Sequence, residues 1–108
     1  MAHIIWTELA LQDLEEIAEY IALDNHDAAS KLVQKVFKKV ERLEDHPLSG
    51  RKLPEIRDTH YREVIVDPCR IFYRIEADRV LILYVMRGER QLRKYLIQMR
   101  HKEHKANS

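Results

Sequence analysis

The chain has 108 residues, which is room for one domain and excludes a two-domain enzyme. Hydrophobic residues make up 45% of it and charged residues 34%, a globular composition, and its one cysteine excludes an internal disulfide and favours a reducing cytoplasm. The formal net charge is only +1, but residues 1–60 hold 8 Lys and Arg against 12 Asp and Glu while residues 61–108 hold 11 against 6, so we expect an acidic partner on the second half.

Neither a membrane span nor a secretion signal is predicted. The longest apolar run, from Val80 to Met86, is far shorter than the ~20 residues that a helix needs to cross a bilayer. The first six residues lack the basic segment and the long apolar stretch of a signal peptide. The expected location is therefore the cytoplasm, without a membrane partner.

The first part of the chain predicts a strand followed by two helices. Residues 3–6 are β-prone, and Thr7 can cap the first helix. The apolar face of that helix is Ala10, Leu11, Leu14, Ile17, Ala18 and Ile21, with acidic residues opposite. Asp27 can cap the second helix, whose apolar stripe is Ala29, Leu32, Val33, Val36, Phe37, Val40 and Leu43. Two such helices with a short break should pack as an antiparallel hairpin.

After a loop that ends at Thr59, the period changes from helix to strand. Three β-branched and aromatic segments predict an antiparallel meander: Tyr61 to Val66, Arg70 to Ile75 and Val80 to Met86. The middle strand alternates between two sets of residues, so its faces should differ; the sets are Ile71, Tyr73 and Ile75, and Arg70, Phe72 and Arg74. The order of elements predicts an α+β fold.

The helical period returns after Gly88. An apolar stripe, with Ile97 assigned to the other side, consists of Leu92, Tyr95, Leu96 and Met99. We expect one domain over residues 1–108, with its core in residues 3–88 and a basic tail helix over residues 89–104. That helix should be mobile or docked on its own chain.

No familiar enzyme motif is present: the sequence has no Gly-rich phosphate loop, nucleophile elbow or zinc-binding helix pair. His101 and His104 lie one turn apart without a third ligand nearby in sequence, and Cys69 stands in a turn without a neighbouring base. We therefore predict no cofactor and no metal site.

Arginines recur at the strand ends and on one side of the meander. A guanidinium group is permanently charged and fork-shaped, which suits phosphate or carboxylate. With the basic start of the tail helix, they predict an anion-binding surface that would serve an acidic protein segment as well as nucleic acid. Its members are Arg51, Arg62, Arg70, Arg87, Arg90, Arg93 and Lys94.

Three further residues have structural predictions. Trp6, beside the helix cap, is expected to anchor the core rather than bind a ligand. Gly50 is expected to supply a turn conformation that positions Arg51. Tyr73 lies between two isoleucines on one strand face, so it should be a core tyrosine whose hydroxyl needs a partner.

An ordered set of motifs extends from about residue 4 to residue 90. Its pieces are Trp6-Thr7-x-x-Ala10-x-x-Asp13-Leu14-x-x-Ile17-x-x-Tyr20-Ile21, Ala28-Ala29, Leu43-x-x-His46-Pro47-x-Ser49-Gly50-Arg51, Pro54-Glu55, Tyr61-Arg62-Glu63, Tyr73-Arg74, Ile82-Leu83-x-Val85 and Arg90. This set resembles the ParE/RelE superfamily of type II toxin–antitoxin toxins. It is closer to the ParE branch, the plasmid-stabilisation proteins, because of the Asp13-Leu14 helix, the Ser-Gly-Arg loop and Arg62-Glu63.

The resemblance implies a helical hairpin on an antiparallel sheet and a small toxin neutralised by a cognate antitoxin, ParD-like or other. ParE-like members poison DNA gyrase, whereas RelE-like members cut messenger RNA on the ribosome. We expect a gyrase inhibitor that binds through a protein surface and can form a homodimer when free. The antitoxin should lay an amphipathic, partly acidic segment over the sheet and its basic rim.

Two alternatives stay open at this point. A ribosome-dependent messenger-RNA endonuclease would use Arg51, Arg62, Arg70, Tyr73 and Arg87. Arg87 stands where many ribonuclease members carry histidine, and the catalytic lysines of RelE have no match here, because Arg62 and Val64 occupy that strand. The third reading is a non-toxic module that only binds its antitoxin.

Overall fold

A five-stranded sheet organises the computed structural model, which describes residues 1–88 and 94–107. The elements in chain order are β1 (His3–Trp6), α1 (Glu8–Ala22), α2 (His26–Glu41), a 3-10 turn (Arg42–Glu44), β2 (Arg51–Lys52), β3 (Tyr61–Val66), β4 (Cys69–Glu76), β5 (Arg79–Arg87) and α3 (Lys94–Asn107). The strand order is β1-β5-β4-β3-β2, with β1 parallel to β5 and all other neighbours antiparallel. The predicted α+β fold is confirmed, including the hairpin, the meander and a C-terminal helix.

Both helices of the hairpin begin at a side-chain cap. The Thr7 hydroxyl accepts a hydrogen bond from the amide of Ala10 and donates to the carbonyl of Ile82, which joins the start of α1 to β5. At α2 the cap is Asn25, whose side chain accepts from the Ala28 amide at 3.0 Å. The prediction that Asp27 caps this helix is wrong. Asp27 lies in the first turn, where its charge favours the helix dipole instead.

Apolar side chains bury both faces of the sheet. The helix-side cluster includes Ala10, Leu14, Leu32, Val36, Val40, Val64, Ile71, Tyr73, Val80 and Ile82. The cluster on the other face comprises Leu53, Ile56, Tyr61, Phe72, Leu81, Leu83, Met86 and Ile97. The alternation predicted for β4 is confirmed by this division. Trp6 packs against the helix-side cluster with its ring 4.9 Å from that of Phe37, as expected of a core anchor.

A bulge in β5 changes which residues face which cluster. Phe72 pairs with Tyr84 and Tyr73 pairs with Ile82, so Leu83 is the extra residue. Leu83 and Tyr84 consequently lie in succession against the same cluster. Val85 then faces the helices.

Gly50 lies against Tyr73 at a bend of the chain, and its φ is not positive, so no left-handed backbone conformation requires glycine here. A Cβ atom at this position would overlap the Tyr73 hydroxyl and lie 2.7 Å from the carbonyl oxygen of Glu63. The Tyr73 hydroxyl accepts from the Gly50 amide at 3.0 Å and donates to the Pro47 carbonyl at 2.7 Å. Glycine is required by this close approach, and Tyr73 has the partner that its burial demands.

The C-terminal helix α3 docks on the chain's own sheet, but with a different face from the predicted one. Ile97 is fully buried, whereas Met99 is 44% exposed. Leu92 and the side chain of Tyr95 lie outside the described residues. The predicted helix began at residue 89, also outside them, and ended at 104, whereas α3 continues to Asn107. Within residues 1–88 and 94–107, no helix combines the length and apolar character that a membrane span requires.

Candidate interaction surface

Two of the predicted arginines converge on a buried carboxylate. The side chain of Glu63 is fully buried, and Arg70 binds it through Nε at 3.0 Å and Nη2 at 2.6 Å. Nη2 of Arg51 lies 3.3 Å from the same carboxylate, because β2 pairs with β3 at this position. A buried charge is costly unless it is paired, so these contacts stabilise the strand edge.

Glu55 completes a cluster of two arginines and two carboxylates. Arg70 Nη2 lies 3.3 Å from Glu55 Oε2, and the Arg70 guanidinium lies 4.9 Å from the centre of the Phe72 ring. Hydrogen bonding to Glu63 raises the pKa of Arg70. The four formal charges cancel, so the cluster offers no net charge to a partner. Arg51, with 59% of its side chain exposed, is its most exposed member.

Arg62 holds the loop that precedes β2. Its Nη1 donates to the carbonyl oxygens of Leu48 at 3.2 Å and Gly50 at 2.9 Å, while its Nε is buried without a hydrogen-bond partner. Tyr73 contacts the same loop, and burial raises the pKa of its hydroxyl. Arg62 and Tyr73 therefore position the segment that leads into Arg51.

An ion pair joins α3 to α1. The guanidinium of Arg100 donates to both oxygens of Asp13, at 3.0 and 3.1 Å, and to the carbonyl oxygen of Leu83 at 3.1 Å. It also lies 4.4 Å from the centre of the Tyr84 ring. Asp13 in turn accepts from the amide of Val85 at 3.1 Å. One carboxylate thus connects α1, the bulged segment of β5 and α3.

A second polar contact fixes the other side of α3. Nε2 of His101 makes a short hydrogen bond with Glu76, and its Nδ1 lies 3.3 Å from the Tyr61 hydroxyl. Burial lowers the pKa of His101. Burial alone would raise the pKa of Glu76, but the hydrogen bond with His101 contributes to a net lowering. Arg74 extends the network by bonding Glu76 at 3.2 Å and Asp58 at 3.0 Å.

A groove of about 870 Å³ opens between α1, the end of β5 and α3. Its lining residues are Asp13, Glu16, Ile17, Tyr20, Tyr84, Val85, Met86, Arg87 and Arg100. Arg87 lies over the ring of Tyr20 at 5.3 Å, and Tyr20 is 63% exposed. The Arg100–Asp13 ion pair lies among its walls, so the groove combines charged side chains, Glu16 and Arg87 among them, with the apolar side chain of Ile17 and two tyrosine rings.

The predicted set is divided among three places. Arg51 and Arg70 meet at Glu63, Arg62 holds a loop, and Arg87 lines the groove. Arg90, Arg93 and the side chain of Lys94 lie outside the described residues. The roles assigned to these residues in binding or catalysis stay predictions.

Residue-by-residue reasoning missed the groove itself. Of its charged and aromatic residues only Arg87 had been assigned a binding role, and the others include Asp13, Tyr20 and Arg100. Asp13 and Tyr20 do stand in the motif of the first helix, one helix turn either side of Ile17, and that spacing was the available signal. Arg100 gave none, because its partner lies 87 residues away.

Comparison with known proteins gives concordant matches. Residues 4–92 match the family described as ParE toxin of type II toxin–antitoxin system, parDE. The chain is 40% identical over 88 residues to a Sinorhizobium fredii protein named "Putative toxin Y4kP", covering 82% of this chain and 90% of the relative. It also resembles a solved chain described as the chromosomal ParDE TA system from P. aeruginosa, with a TM-score of 0.68 and 26% identity over 82% of this chain and 98% of that one.

Proposed function

The chain belongs to the ParE toxin family of type II toxin–antitoxin systems, and from this we propose that it inhibits DNA gyrase through a protein surface and is neutralised by a cognate antitoxin. Gyrase and the toxin would meet in the cytoplasm. The observation that supports binding rather than catalysis is that two candidate catalytic groups are already bonded to other residues of this chain. The Tyr73 hydroxyl donates to Pro47, and the Arg70 guanidinium is neutralised by Glu63. The Tyr73 hydroxyl is therefore not placed to transfer a proton to a bound substrate, and Arg70 is not available to neutralise the charge of a phosphate.

We place the antitoxin in the groove between α1, β5 and α3. The expectation that it covers the sheet face is less suited to this structure, because α3 and the loop with Leu53 and Ile56 already pack there. The groove presents Ile17 and the rings of Tyr20 and Tyr84 together with Arg87. An amphipathic segment with a carboxylate facing Arg87 fits this combination of apolar and cationic surface.

A brief expression experiment tests the proposed target. DNA breaks and messenger-RNA ends are followed in bacteria during the first minutes of toxin synthesis. A DNA-damage response with intact messages supports gyrase inhibition. Message cutting without that response would establish the endonuclease instead, and unimpaired growth would establish the non-toxic binding module.

An in vitro assay tests the groove separately. Purified toxin should block supercoiling by gyrase, and added antitoxin should restore it.

Arg87→Gln should weaken antitoxin binding mainly by slowing association. The affinity of this variant should also depend less on salt than that of the wild-type protein. Arg57→Gln is the matched control, because Arg57 is an exposed arginine that does not line the groove. Equal losses in the two variants would refute this placement of the antitoxin.

A further inference from the structure

Five exposed cations form a stripe along α2 and the residue that follows it: Lys31, Lys35, Lys38, Lys39 and Arg42. At 100° per residue they fall within an arc of about 100° on the helix circumference. The stripe lies in the acidic half of the sequence, where charge counting predicted no anionic partner.

The α2 stripe differs from Arg51 and Arg70 of the predicted set because its charges are not neutralised internally, whereas Arg62 bonds carbonyl oxygens and Arg87 lies over the Tyr20 ring. Arg70 and Arg100 each bind a carboxylate of this chain, and so do Arg51, Arg74 and Arg79. In residues 1–88 and 94–107, none of the five stripe residues forms an ion pair with a described carboxylate. The stripe is therefore a concentrated positive charge on a protein whose net charge is only +1.

The α2 stripe also lacks apolar contact surface. The buried side of α2 faces the sheet through Leu32, Val36 and Val40, and its flank toward α1 carries Val33. Phe37, the aromatic residue of this helix, is 41% exposed, but it lies on the side of the helix away from the stripe, with its ring 4.9 Å from that of Trp6. An amphipathic acidic peptide would need apolar anchors, and a single-stranded nucleic acid would need aromatic platforms for its bases. The stripe offers neither.

We propose that the α2 stripe binds the phosphate backbone of duplex DNA. Lys31 and Arg42 are eleven positions apart, which is about 16 Å at 1.5 Å per residue. That exceeds the ~12 Å width of the major groove of B-form DNA, so the ends of the stripe can contact phosphates of both strands. Lysine contacts to phosphate carry no sequence information, and binding is therefore independent of sequence. This inference goes beyond the proposed function, since it does not require gyrase.

The test is fluorescence anisotropy with a labelled DNA duplex of arbitrary sequence at increasing salt, without gyrase. If about four phosphates are neutralised, affinity should fall ~100-fold between 50 and 200 mM salt. The double variant Lys35→Gln/Lys39→Gln should reduce that fall to ~10-fold, since each lost contact lowers the slope by about 0.9. The control Lys52→Gln/Lys102→Gln removes two exposed charges elsewhere and should retain the wild-type slope. Circular dichroism verifies that all variants are folded.

Four results would overturn the inference. The first is failure of the wild-type protein to bind DNA at 50 mM salt. The second is a control variant that loses as much of its salt-dependence slope as the stripe variant. Equal binding of an RNA duplex would contradict the assignment to B-form DNA. Competition by poly-L-glutamate as effective as that by DNA, charge for charge, would indicate an acidic protein partner. Each result is independent of gyrase inhibition, so this inference and the proposed function can fail separately.

Discussion

Replacing the buried anchor of α3 tests how that helix is held. Ile97 is fully buried in the cluster on the sheet face away from the helical hairpin. Truncating a buried Ile to Ala costs roughly 2–5 kcal/mol, and a helix at one side of the molecule can move to fill the space, which favours the low end. We therefore expect Ile97→Ala to lower the free energy of unfolding by about 2 kcal/mol. With a urea m-value of about 1.3 kcal/mol per M, the midpoint would fall by about 1.5 M.

Met99→Ala is the matched control, because Met99 lies two residues away on the exposed side of the same helix. Its effect should stay within ~0.5 kcal/mol. Equal effects of the two substitutions, or a larger one at Met99, would refute the described orientation of α3.

Deleting α3 extends the same measurement. A chain ending at Gly88 loses Ile97 together with the Arg100–Asp13 and His101–Glu76 contacts, so its loss of stability should be at least that of Ile97→Ala. It should still show the circular dichroism of a folded α+β protein, because the helix-side cluster lies within residues 1–88. A wholly unfolded truncated chain would establish that α3 belongs to the core and contradict the expected core of residues 3–88.

Three further substitutions test the contacts around the sheet. Gly50→Ala should destabilise the fold by about 1–3 kcal/mol in thermal unfolding, because its Cβ would overlap Tyr73, whereas Gly88→Ala should cost less, since its nearest contact is the Pro68 carbonyl at 3.2 Å. Tyr73→Phe should cost about 1–3 kcal/mol in urea unfolding, because the buried Gly50 amide and the partly buried Pro47 carbonyl oxygen each lose a partner. The backbone hydrogen bond from His60 lowers the pKa of Asp58 from 3.8 to about 2, so its contribution to stability is present above pH 4 and is lost as the pH falls through 2. Asp58→Asn should remove this part of the acid dependence of the urea midpoint. The corresponding change in the free energy of unfolding should be less than ~1 kcal/mol, because the carboxylate is partly exposed. An unchanged pH profile of the midpoint would contradict this expectation.

Local periodicity predicted the elements whose faces are set by local sequence. The stripes of α1 and α2 and the alternation in β4 are dominated by apolar side chains, so the buried face could be identified without knowing what covers it. In α3 the buried residues are Ile97 and His101, and the polar contacts that orient the helix join Arg100 and His101 to partners 87 and 25 residues away. A hydrophobic stripe therefore predicted the wrong side.

The candidate surface was also less predictable, because its ion pairs join residues that are distant in sequence. Counting charges located arginines in the second half of the chain but not the carboxylates that neutralise them. Glu63 lies beside Arg62 in sequence, yet the fold pairs it with Arg51 and Arg70. The two-residue strand β2 exists through its pairing with β3 and carries no periodic signal of its own. Tertiary pairing decides which charges remain available to a partner.

The Asp13–Arg100 ion pair also sets when the groove can form during synthesis. At about 5–20 residues per second, the 87 residues between the two partners take roughly 4–17 s to be translated. During that interval α1 and α2 can pack against each other, but β1 can join the sheet only after β5, its neighbour, has been synthesised. The wall of the groove contributed by α3 is the last to be added. A fragment released from the ribosome before residue 100 would lack the complete groove, so the antitoxin proposed to occupy it would meet its full site only on chains translated past that point.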